Sequence, residues 1–286
     1  MGAIEGASVK ILVTGAHGQL GGDLVPVLLG HDVVAIDVDE LDITDHEAVL
    51  AFITDLGPER VINCAAMTAV DACETNEELA WSVNATGVQN LAEACGLVGA
   101  HLLTVSTDYV FDGTKTGPYV ESDTPNPKSV YGRSKLAGEA AAGATATIVR
   151  TSWLSGEHGP NMVKTIVRLL SGDGQLRFVD DQVGCPTFAA DLAPMVVRLA
   201  VDAVPGVFHV TNQGPVSWFE LAREIAVAAG ADPERVESCA TADLQPPRPA
   251  PRPANSVLDS FNLRRLGYLE LRHHLEPLEE LVARLT

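Results

Sequence analysis

The chain has 286 residues, of which 46% are hydrophobic, and its formal net charge is −19. This length suits one large α/β domain, alone or with a smaller lobe, and the hydrophobic content excludes intrinsic disorder as the default state. The acidic balance and the lack of a basic stripe argue against a nucleic-acid partner, and they require a local cation for any anionic ligand.

No segment contains the roughly 18 unbroken apolar residues of a membrane helix, and residues 1–8 lack the basic and apolar regions of a signal peptide. We therefore expect a cytoplasmic protein without a membrane segment. The cysteines are scattered and show no Cys-x-x-Cys spacing, so reduced thiols are expected rather than disulfides or a metal site. They are Cys64, Cys73, Cys95, Cys185 and Cys239.

Strands and helices alternate over the first 150 residues. Strands are predicted at residues 9–14, 31–37, 60–63, 101–106 and 146–150. Helices are predicted at residues 18–29, 45–56, 74–97 and 131–142. This alternation predicts an α/β fold with a doubly wound parallel sheet, the Rossmann architecture.

The regular alternation of strands and helices is lost after Thr151. Further helices are predicted at residues 161–170, 191–201, 217–229 and 275–285, with a proline-rich loop at 246–253. We assign residues 1–150 to the Rossmann domain and residues 151–286 mainly to a smaller, substrate-binding C-terminal lobe that returns some elements to the sheet.

A glycine-rich turn follows the first strand, with the pattern G-x-x-G-x-x-G at Gly15, Gly18 and Gly21. Gly15 permits a tight turn, Gly18 lets backbone N–H groups approach a pyrophosphate, and Gly21 allows close helix packing. With a strand before it and a helix after it, this turn indicates that residues 1–150 bind NAD(P).

Asp37 ends the second strand, where an acid accepts hydrogen bonds from the adenosine ribose. No arginine lies nearby to bind a 2′-phosphate, so NADH or dual use is favoured over NADPH. A simple acidic strand-end turn is the structural alternative. The other positions predicted to line the cofactor are Gln19, Leu20, Asp42, Ile43, Ala65, Ala66, Met67, Thr68 and Val105.

Tyr131 and Lys135 stand four residues apart in a predicted helix and therefore share one face. The ammonium can lower the pKa of the phenol and hold the nicotinamide ribose, while the tyrosine donates a proton to a carbonyl as hydride arrives. Thr107, at the end of the fourth strand, is the favoured third member, because its hydroxyl can polarise the substrate oxygen. Ser106 is the alternative, and both hydroxyls could simply cap the strand.

Several segments in order along the chain resemble the dTDP-4-dehydrorhamnose reductases, a family of extended short-chain dehydrogenase/reductases. They are TGAHGQLG, NCAAMTAVDACE, VNATG, STDYVFDG, YGRSKLAGE, VRTSWL, DDQVGCPT and RPANSVLD. The resemblance covers residues 9–285. It implies reduction of the 4-keto group of dTDP-4-dehydro-L-rhamnose by NAD(P)H, in a monomer or homodimer.

The resemblance also implies roles for individual residues. Tyr131 is the expected proton donor, with Lys135 and Thr107 assisting, and Thr107 and Asp108 contact the sugar. Trp153 packs against the sugar, unless it is an ordinary core residue. Arg252 is the candidate for the diphosphate, with an exposed loop arginine as the alternative, and Asn161 is a weaker candidate for the same group.

Two positions depart from the expected pattern. His17 lies inside the glycine turn, where it either contacts a phosphate or points to solvent. Members of this family can pair through a metal held by acids near DDQVGCPT, but Ala190 stands where an acid is expected. No metal site is therefore predicted.

Other functions of the same fold remain as alternatives. A 4,6-dehydratase has Asp-Glu after the threonine, whereas Tyr109 follows Asp108 here. Another nucleotide-sugar 4-reductase or a 4-epimerase needs only the tyrosine, the lysine and the cofactor. A non-catalytic NADP-binding subunit, like the regulatory subunit of methionine adenosyltransferase, would tolerate loss of Tyr131 or Lys135, and both are present.

Overall fold

A computed structural model describes residues 8–286 of the chain. The expectation that no signal peptide is present falls on residues 1–7, which lie outside the described residues. Within the described part, no helix is long and apolar enough to cross a membrane.

Twelve strands are found within residues 8–286. In chain order they are β1 Lys10–Thr14, β2 Asp32–Ile36, β3 Arg60–Asn63, β4 His101–Thr107, β5 Thr147–Thr151, β6 Leu154–Ser155, β7 Leu176–Val179, β8 Val183–Gly184, β9 Thr187–Phe188, β10 Gly206–His209, β11 Val216–Ser217 and β12 Val236–Cys239.

The α-helices run between and after these strands. In chain order they are α1 Gln19–Leu24, α2 His46–Leu56, α3 Val70–Thr75, α4 Glu77–Trp81, α5 Gly87–Val98, α6 Val130–Ala142, α7 Met162–Leu170, α8 Ala189–Asp202, α9 Trp218–Ala228, α10 Phe261–Leu266 and α11 Leu275–Leu285.

Six parallel strands form the central sheet in the order β10-β5-β4-β3-β1-β2. The chain starts at β1, moves outward to β2 and returns to β3 on the other side of β1. A crevice opens at such a reversal, outside the carboxyl ends of the strands, and it is where ligands bind in doubly wound sheets. The predicted fold class is confirmed.

Both faces of the sheet are buried. In β1, Ile11 and Val13 pack with α1 and α8, whereas Leu12 packs with α2 and α5. Successive side chains of a strand point to opposite faces, so the unbroken apolar run of β1 indicates a strand covered on both sides. The helices α7, α9 and α11 enclose a separate hydrophobic cluster.

The single helix predicted at residues 74–97 is wrong. The helix is interrupted at Asn76, whose φ of −130° and ψ of 54° are not helical. A π-helical turn, Ser82–Thr86, then separates α4 from α5. Helical periodicity cannot distinguish an α-turn from a π-turn, and π-turns concentrate at functional sites.

Candidate active site

The glycine turn after β1 has the geometry that the sequence predicts. Gly15 has a φ of 69°, and a Cβ there would lie 2.6 Å from the Ala65 nitrogen. A Cβ on Gly21 would lie 2.3 Å from the Gly15 carbonyl oxygen, so only glycine lets α1 start this close to β1. Gly18 is the N-cap of α1 and, lacking a side chain, leaves the first N–H groups of the helix free to face a pyrophosphate.

Asp37 closes this turn from the end of β2. Its Oδ2 accepts a hydrogen bond from the His17 backbone N–H at 2.9 Å, and its Oδ1 accepts one from Val38 at 2.8 Å. Glu40 accepts a bond from the Asp37 N–H at 2.9 Å, so two carboxylates lie where the adenosine ribose is expected. The His17 side chain is exposed.

Asp42 and Ile43 are placed less favourably for direct contact with the adenine. Asp42 accepts hydrogen bonds from the backbone and hydroxyl of Thr44 at 2.9 and 2.8 Å. Ile43 is buried against α5, close enough that a Cβ on Gly87 would lie 2.6 Å from its Cδ1. Both side chains serve local structure, and their cofactor contacts stay predictions.

The segment 65–68 after β3 is held by an asparagine that the sequence analysis missed. Asn84, fully buried in the π-turn, accepts a bond from the Met67 N–H at 2.9 Å and donates to the Met67 carbonyl at 3.1 Å. It also donates to Ser134 of α6 at 3.1 Å. A buried asparagine inside an apolar helical stretch was the signal that could have identified this bridge between the cofactor segment and α6.

Tyr131 and Lys135 lie on the buried face of α6, at the carboxyl end of β4. Ser129 caps the helix by accepting from the Gly132 N–H at 3.0 Å. Lys135 Nζ donates to the Val105 carbonyl at 2.7 Å, so the backbone oxygen of Val105, a predicted cofactor contact, binds Lys135. Burial lowers the pKa of Lys135 to about 8.

The pKa of Tyr131 is set mainly by its buried surroundings, and its lowering by Lys135 stays a prediction. Burial raises the pKa of the phenol, Thr107 opposes that rise, and the neighbouring Asp108 adds to it. The phenol is therefore protonated at neutral pH, as a proton donor must be.

The two hydroxyls at the end of β4 have different partners. Thr107 lies close enough to Tyr131 for its hydroxyl to lower the pKa of the phenol, and it donates to Asp108 Oδ1 at 2.9 Å. Ser106 instead donates to Glu139 Oε1 at 2.5 Å, behind the site. The geometry favours Thr107 as the third member of the constellation.

Asp108 is 2% exposed and follows Thr107 directly. Burial raises the pKa of its carboxyl to about 6, although the hydroxyls of Ser256 and Thr107 nearby oppose the rise. The Tyr109 ring meets the Tyr131 ring edge-on, with the ring centroids 5.5 Å apart. Asp108 and Tyr109 thus form one wall of the crevice around the phenol.

Trp153 has an unusual backbone and a tightly defined ring position. Its φ is 47°, a left-handed conformation that large side chains rarely adopt, and such strain concentrates at functional sites. The ring stacks on Trp218 with centroids 3.8 Å apart, and a Cβ on Gly184 would lie 2.6 Å from its Cε2. Trp153 is half-buried and packed on one side by another tryptophan.

Arg252 is not a free loop arginine. Its two terminal nitrogens donate to the two Asp71 oxygens at 3.0 and 2.8 Å, and Asp71 also accepts from the Ala250 N–H at 3.1 Å. Arg248 lies 3.7 Å from the same carboxylate and is half-exposed. The proline-rich loop is therefore fixed to the start of α3 with two guanidinium groups side by side.

Asn161, the weaker candidate for the diphosphate, has its side chain committed elsewhere. Its Nδ2 donates to Gln19 Oε1 at 2.9 Å and to the Gly156 carbonyl at 2.8 Å, while its Oδ1 accepts from the Lys164 N–H. Gln19 in turn donates to the Leu154 carbonyl at 2.7 Å. These contacts attach the chain after β5 to the start of α1, and the diphosphate contact of Asn161 stays a prediction. The neighbouring Leu20 is buried in the core.

The segment around Ala190 carries an ion pair. Ala190 is exposed, and Asp191 binds Arg272 with a shortest distance of 2.9 Å. Among residues 8–286, no group of three potential metal-ligating side chains comes together.

The sequence profile described as the RmlD substrate binding domain matches residues 9–286 of the chain. A dTDP-4-dehydrorhamnose reductase of Mycobacterium tuberculosis strain H37Rv is 45% identical over 281 residues, which covers 94% of this chain and 91% of that protein.

Two solved structures are similar over almost their whole length. A dTDP-4-dehydrorhamnose reductase from Clostridium acetobutylicum has a TM-score of 0.92 and 43% identity, covering 96% of this chain and 99% of that one. A dTDP-4-dehydrorhamnose reductase from Bacillus anthracis, in complex with NADP, has a TM-score of 0.92 and 38% identity, covering 97% and 99%.

Proposed function

The chain belongs to the RmlD family of dTDP-4-dehydrorhamnose reductases, and from that premise we propose how its site performs the reaction. It reduces the 4-keto group of dTDP-4-dehydro-L-rhamnose with NAD(P)H and forms dTDP-L-rhamnose. The observation that carries the assignment to this site is the meeting of Thr107, Tyr131 and Lys135 at the carboxyl end of β4. This end of the sheet also holds the glycine turn.

Tyr131 donates the proton that the new C4 hydroxyl needs. Its phenol is buried and protonated at neutral pH, because burial raises its pKa. Thr107 lies beside the phenol and can hold the same substrate oxygen, so that the carbonyl is polarised before the proton moves.

The residues present fit a nicotinamide dinucleotide. Gly15 and Gly21 lack the Cβ atoms that would fill the turn, and Gly18 leaves the first turn of α1 uncapped. The bound cofactor supplies the hydride. Lys135, held by the Val105 carbonyl beside Tyr131, is placed to bind the nicotinamide ribose.

NADH is the favoured cofactor, with dual use as the alternative. Residues 11–59 contain no lysine or arginine, and Asp37 and Glu40 lie together at the end of β2. A carboxylate pair accepts hydrogen bonds from ribose hydroxyls but repels a 2′-phosphate. The relative from Bacillus anthracis was solved with NADP, so cofactor use differs within the family or is broad.

The dTDP-sugar lies between the sheet and the proline-rich loop. Arg252 and Arg248 offer guanidinium groups for the diphosphate in an otherwise acidic protein, and Asp71 orients them. Trp153, fixed by its stack on Trp218, provides a flat apolar surface for the sugar ring. Asp108 faces the sugar next to Thr107.

The proposed setting is the cytoplasm, in a monomer or homodimer. All five cysteines are free thiols, as expected in a reducing compartment. No sequence feature requires a nucleic-acid or membrane partner.

Consumption of the cofactor distinguishes this function from a 4-epimerase of the same fold. The purified protein is expected to oxidise added NADH stoichiometrically with dTDP-4-dehydro-L-rhamnose. NADH should remain unchanged when dTDP-glucose replaces the ketosugar. An epimerase would retain tightly bound NAD and interconvert sugars without consuming NADH.

A further inference from the structure

A buried ion pair lies directly behind the catalytic residues. Arg150 of β5 donates to Glu139 of α6 through Nε at 2.8 Å and through one terminal nitrogen at 2.6 Å. The two side chains are only 4% and 6% exposed. Neither residue was singled out by the sequence analysis.

The guanidinium of Arg150 is enclosed on its remaining sides. It lies 5.2 Å over the Phe111 ring, and one of its terminal nitrogens is 3.5 Å from His209 Nε2. Burial and, to a smaller extent, the positive charge of Arg150 lower the pKa of His209 to about 3. This imidazole is therefore neutral and adds no second charge. Glu139 is therefore the partner that balances Arg150.

Stability alone does not explain why such an ion pair is buried here. The desolvation of two charges largely cancels their attraction, and apolar residues of similar volume often stabilise a protein as well or better. We therefore looked for another role of this ion pair in the remaining contacts of Glu139 and Arg150.

Those contacts reach the catalytic residues by two routes. Glu139 accepts the 2.5 Å hydrogen bond of Ser106, whose two chain neighbours are Val105 and Thr107. The Val105 carbonyl binds Lys135, and the Thr107 side chain approaches Tyr131. The Ser106 bond to Glu139 thus adds a side-chain anchor to the stretch of β4 that positions both catalytic partners, beside its backbone pairing with β5.

The second route is electrostatic. Glu139 stands one helical turn after Lys135 on α6, and such residues share a helix face. Its carboxylate favours the charged form of the buried ammonium. It is the largest influence opposing the effect of burial, followed by the Cys64 thiol from the turn after β3.

We propose that Glu139, held by Arg150 and bonded to Ser106, is a positioning residue that keeps Lys135 protonated and fixes the end of β4 for catalysis. This inference rests on the proposed function. It adds a pair of residues behind the site whose loss changes the pH range of the enzyme.

Other charged groups on the elements around α6 have separate partners. Glu74 of α3 accepts from the Val130 N–H, Glu77 of α4 lies 4.0 Å from Arg133, and His101 binds Thr147 at the far end of β4. Asp108 acts on Tyr131 and Tyr109. Glu139 is the carboxylate that governs Lys135.

The test is the pH dependence of kcat/KM for the ketosugar between about pH 6 and pH 10, spanning the titration of a perturbed lysine. The double variant Glu139→Gln/Arg150→Met removes both charges together and keeps an acceptor for Ser106. Its alkaline limb is expected to move to lower pH by about one unit, since an ammonium without its carboxylate deprotonates more easily. Ser106→Ala keeps both charges. It should therefore lower the plateau value of kcat/KM about tenfold and leave the alkaline limb of the pH profile at its wild-type position.

A remote ion pair provides the matched control. Asp191→Asn/Arg272→Gln removes a pair that lies outside the site and should leave the alkaline limb at its wild-type position. If the Glu139/Arg150 double variant fails to fold, Glu139→Gln/Arg150→Gln, which also removes both charges and leaves two amides that can bond each other, must move the limb in the same direction.

An unmoved limb in a folded Glu139 variant overturns the inference, because a merely structural pair changes the rate without changing the pH profile. This failure differs from failure of the proposed function. In that case the wild-type protein would not oxidise NADH with the ketosugar at all.

Discussion

Lys135 donates its Nζ to the carbonyl oxygen of Val105 at 2.7 Å, two residues before Thr107 in the same strand. The bond fixes the ammonium beside Tyr131 before any ligand binds. It also leaves the lysine in a buried environment, where burial lowers its pKa to about 8. The working form of this lysine is the protonated one, because an ammonium makes stronger, charge-assisted hydrogen bonds to the strand carbonyl and to a ribose hydroxyl.

The wild-type enzyme should therefore lose activity as pH rises above about 8. The group has a lowered pKa, so its active cation is fully present at lower pH and is lost as the pH passes that value. Steady-state rates across the range should show a plateau and then a fall approaching tenfold per pH unit. A rate that keeps rising above this pH would contradict the role of Lys135.

Gly184→Ala should disturb the sugar surface selectively. The new Cβ would lie 2.6 Å from the Trp153 ring, which cannot move away easily because Trp218 stacks on it at 3.8 Å. We expect KM for the ketosugar to rise about tenfold, with a smaller change in kcat and none in NADH affinity. Steady-state kinetics and NADH fluorescence titration measure these three quantities.

The control for that variant is Gly96→Ala in α5, where a Cβ meets no atom of the described residues within 4 Å. It should keep wild-type KM and raise the free energy of unfolding by up to about 1 kcal/mol. Equal KM values for wild type and Gly184→Ala would remove Trp153 from the sugar site.

Arg252→Lys should weaken binding of the dTDP-sugar. A lysine cannot form the two parallel bonds to Asp71 that hold Arg252 at 3.0 and 2.8 Å, so its charge is no longer oriented. We expect at least a tenfold higher KM for the ketosugar and an unchanged KM for NADH. Arg198→Lys on the exposed side of α8 is the matched control, and comparable kinetics in both variants would show that Arg252 is only structural.

Asp37→Asn should shift cofactor preference. The neutral amide loses the charge-assisted bonds to ribose hydroxyls and the repulsion of a 2′-phosphate. The ratio of kcat/KM for NADH over that for NADPH is expected to fall about tenfold. Asp39→Asn, an exposed neighbouring acid, should leave the ratio unchanged, and the same ratio in both variants would place the preference elsewhere.

The sequence predicted the parts of the molecule that local patterns encode. Strand β3 was predicted with its observed bounds, and the glycine turn with the reason for Gly15 and Gly21. The π-turn at Ser82–Thr86 was missed, because its backbone bonding leaves no sequence period distinct from that of an α-helix. The contacts of Asn84 with Met67 and Ser134 join segments that are distant in the chain. Only the folded chain brings those groups together.

Long-range partners were equally hidden from sequence reasoning. Asn161 donates to Gln19 across 142 positions, a contact that ties the chain after β5 to the start of α1. Asp71 meets Arg252 across 181 positions, and Trp218 meets Trp153 from another helix. Spacing rules describe neighbours on one element, so they identified Tyr131 and Lys135 but not what lies behind or opposite them.

The replacement of Tyr131 by phenylalanine is the most direct test of the account. Tyr131→Phe removes the proton donor and keeps the buried ring that packs against Tyr109. NADH oxidation with dTDP-4-dehydro-L-rhamnose should fall at least about 100-fold while NADH affinity is retained. Tyr268→Phe, which loses only a bond to Asp202, should react at the wild-type rate. A Tyr131→Phe enzyme as active as the Tyr268→Phe control would contradict the assignment of Tyr131 as the proton donor.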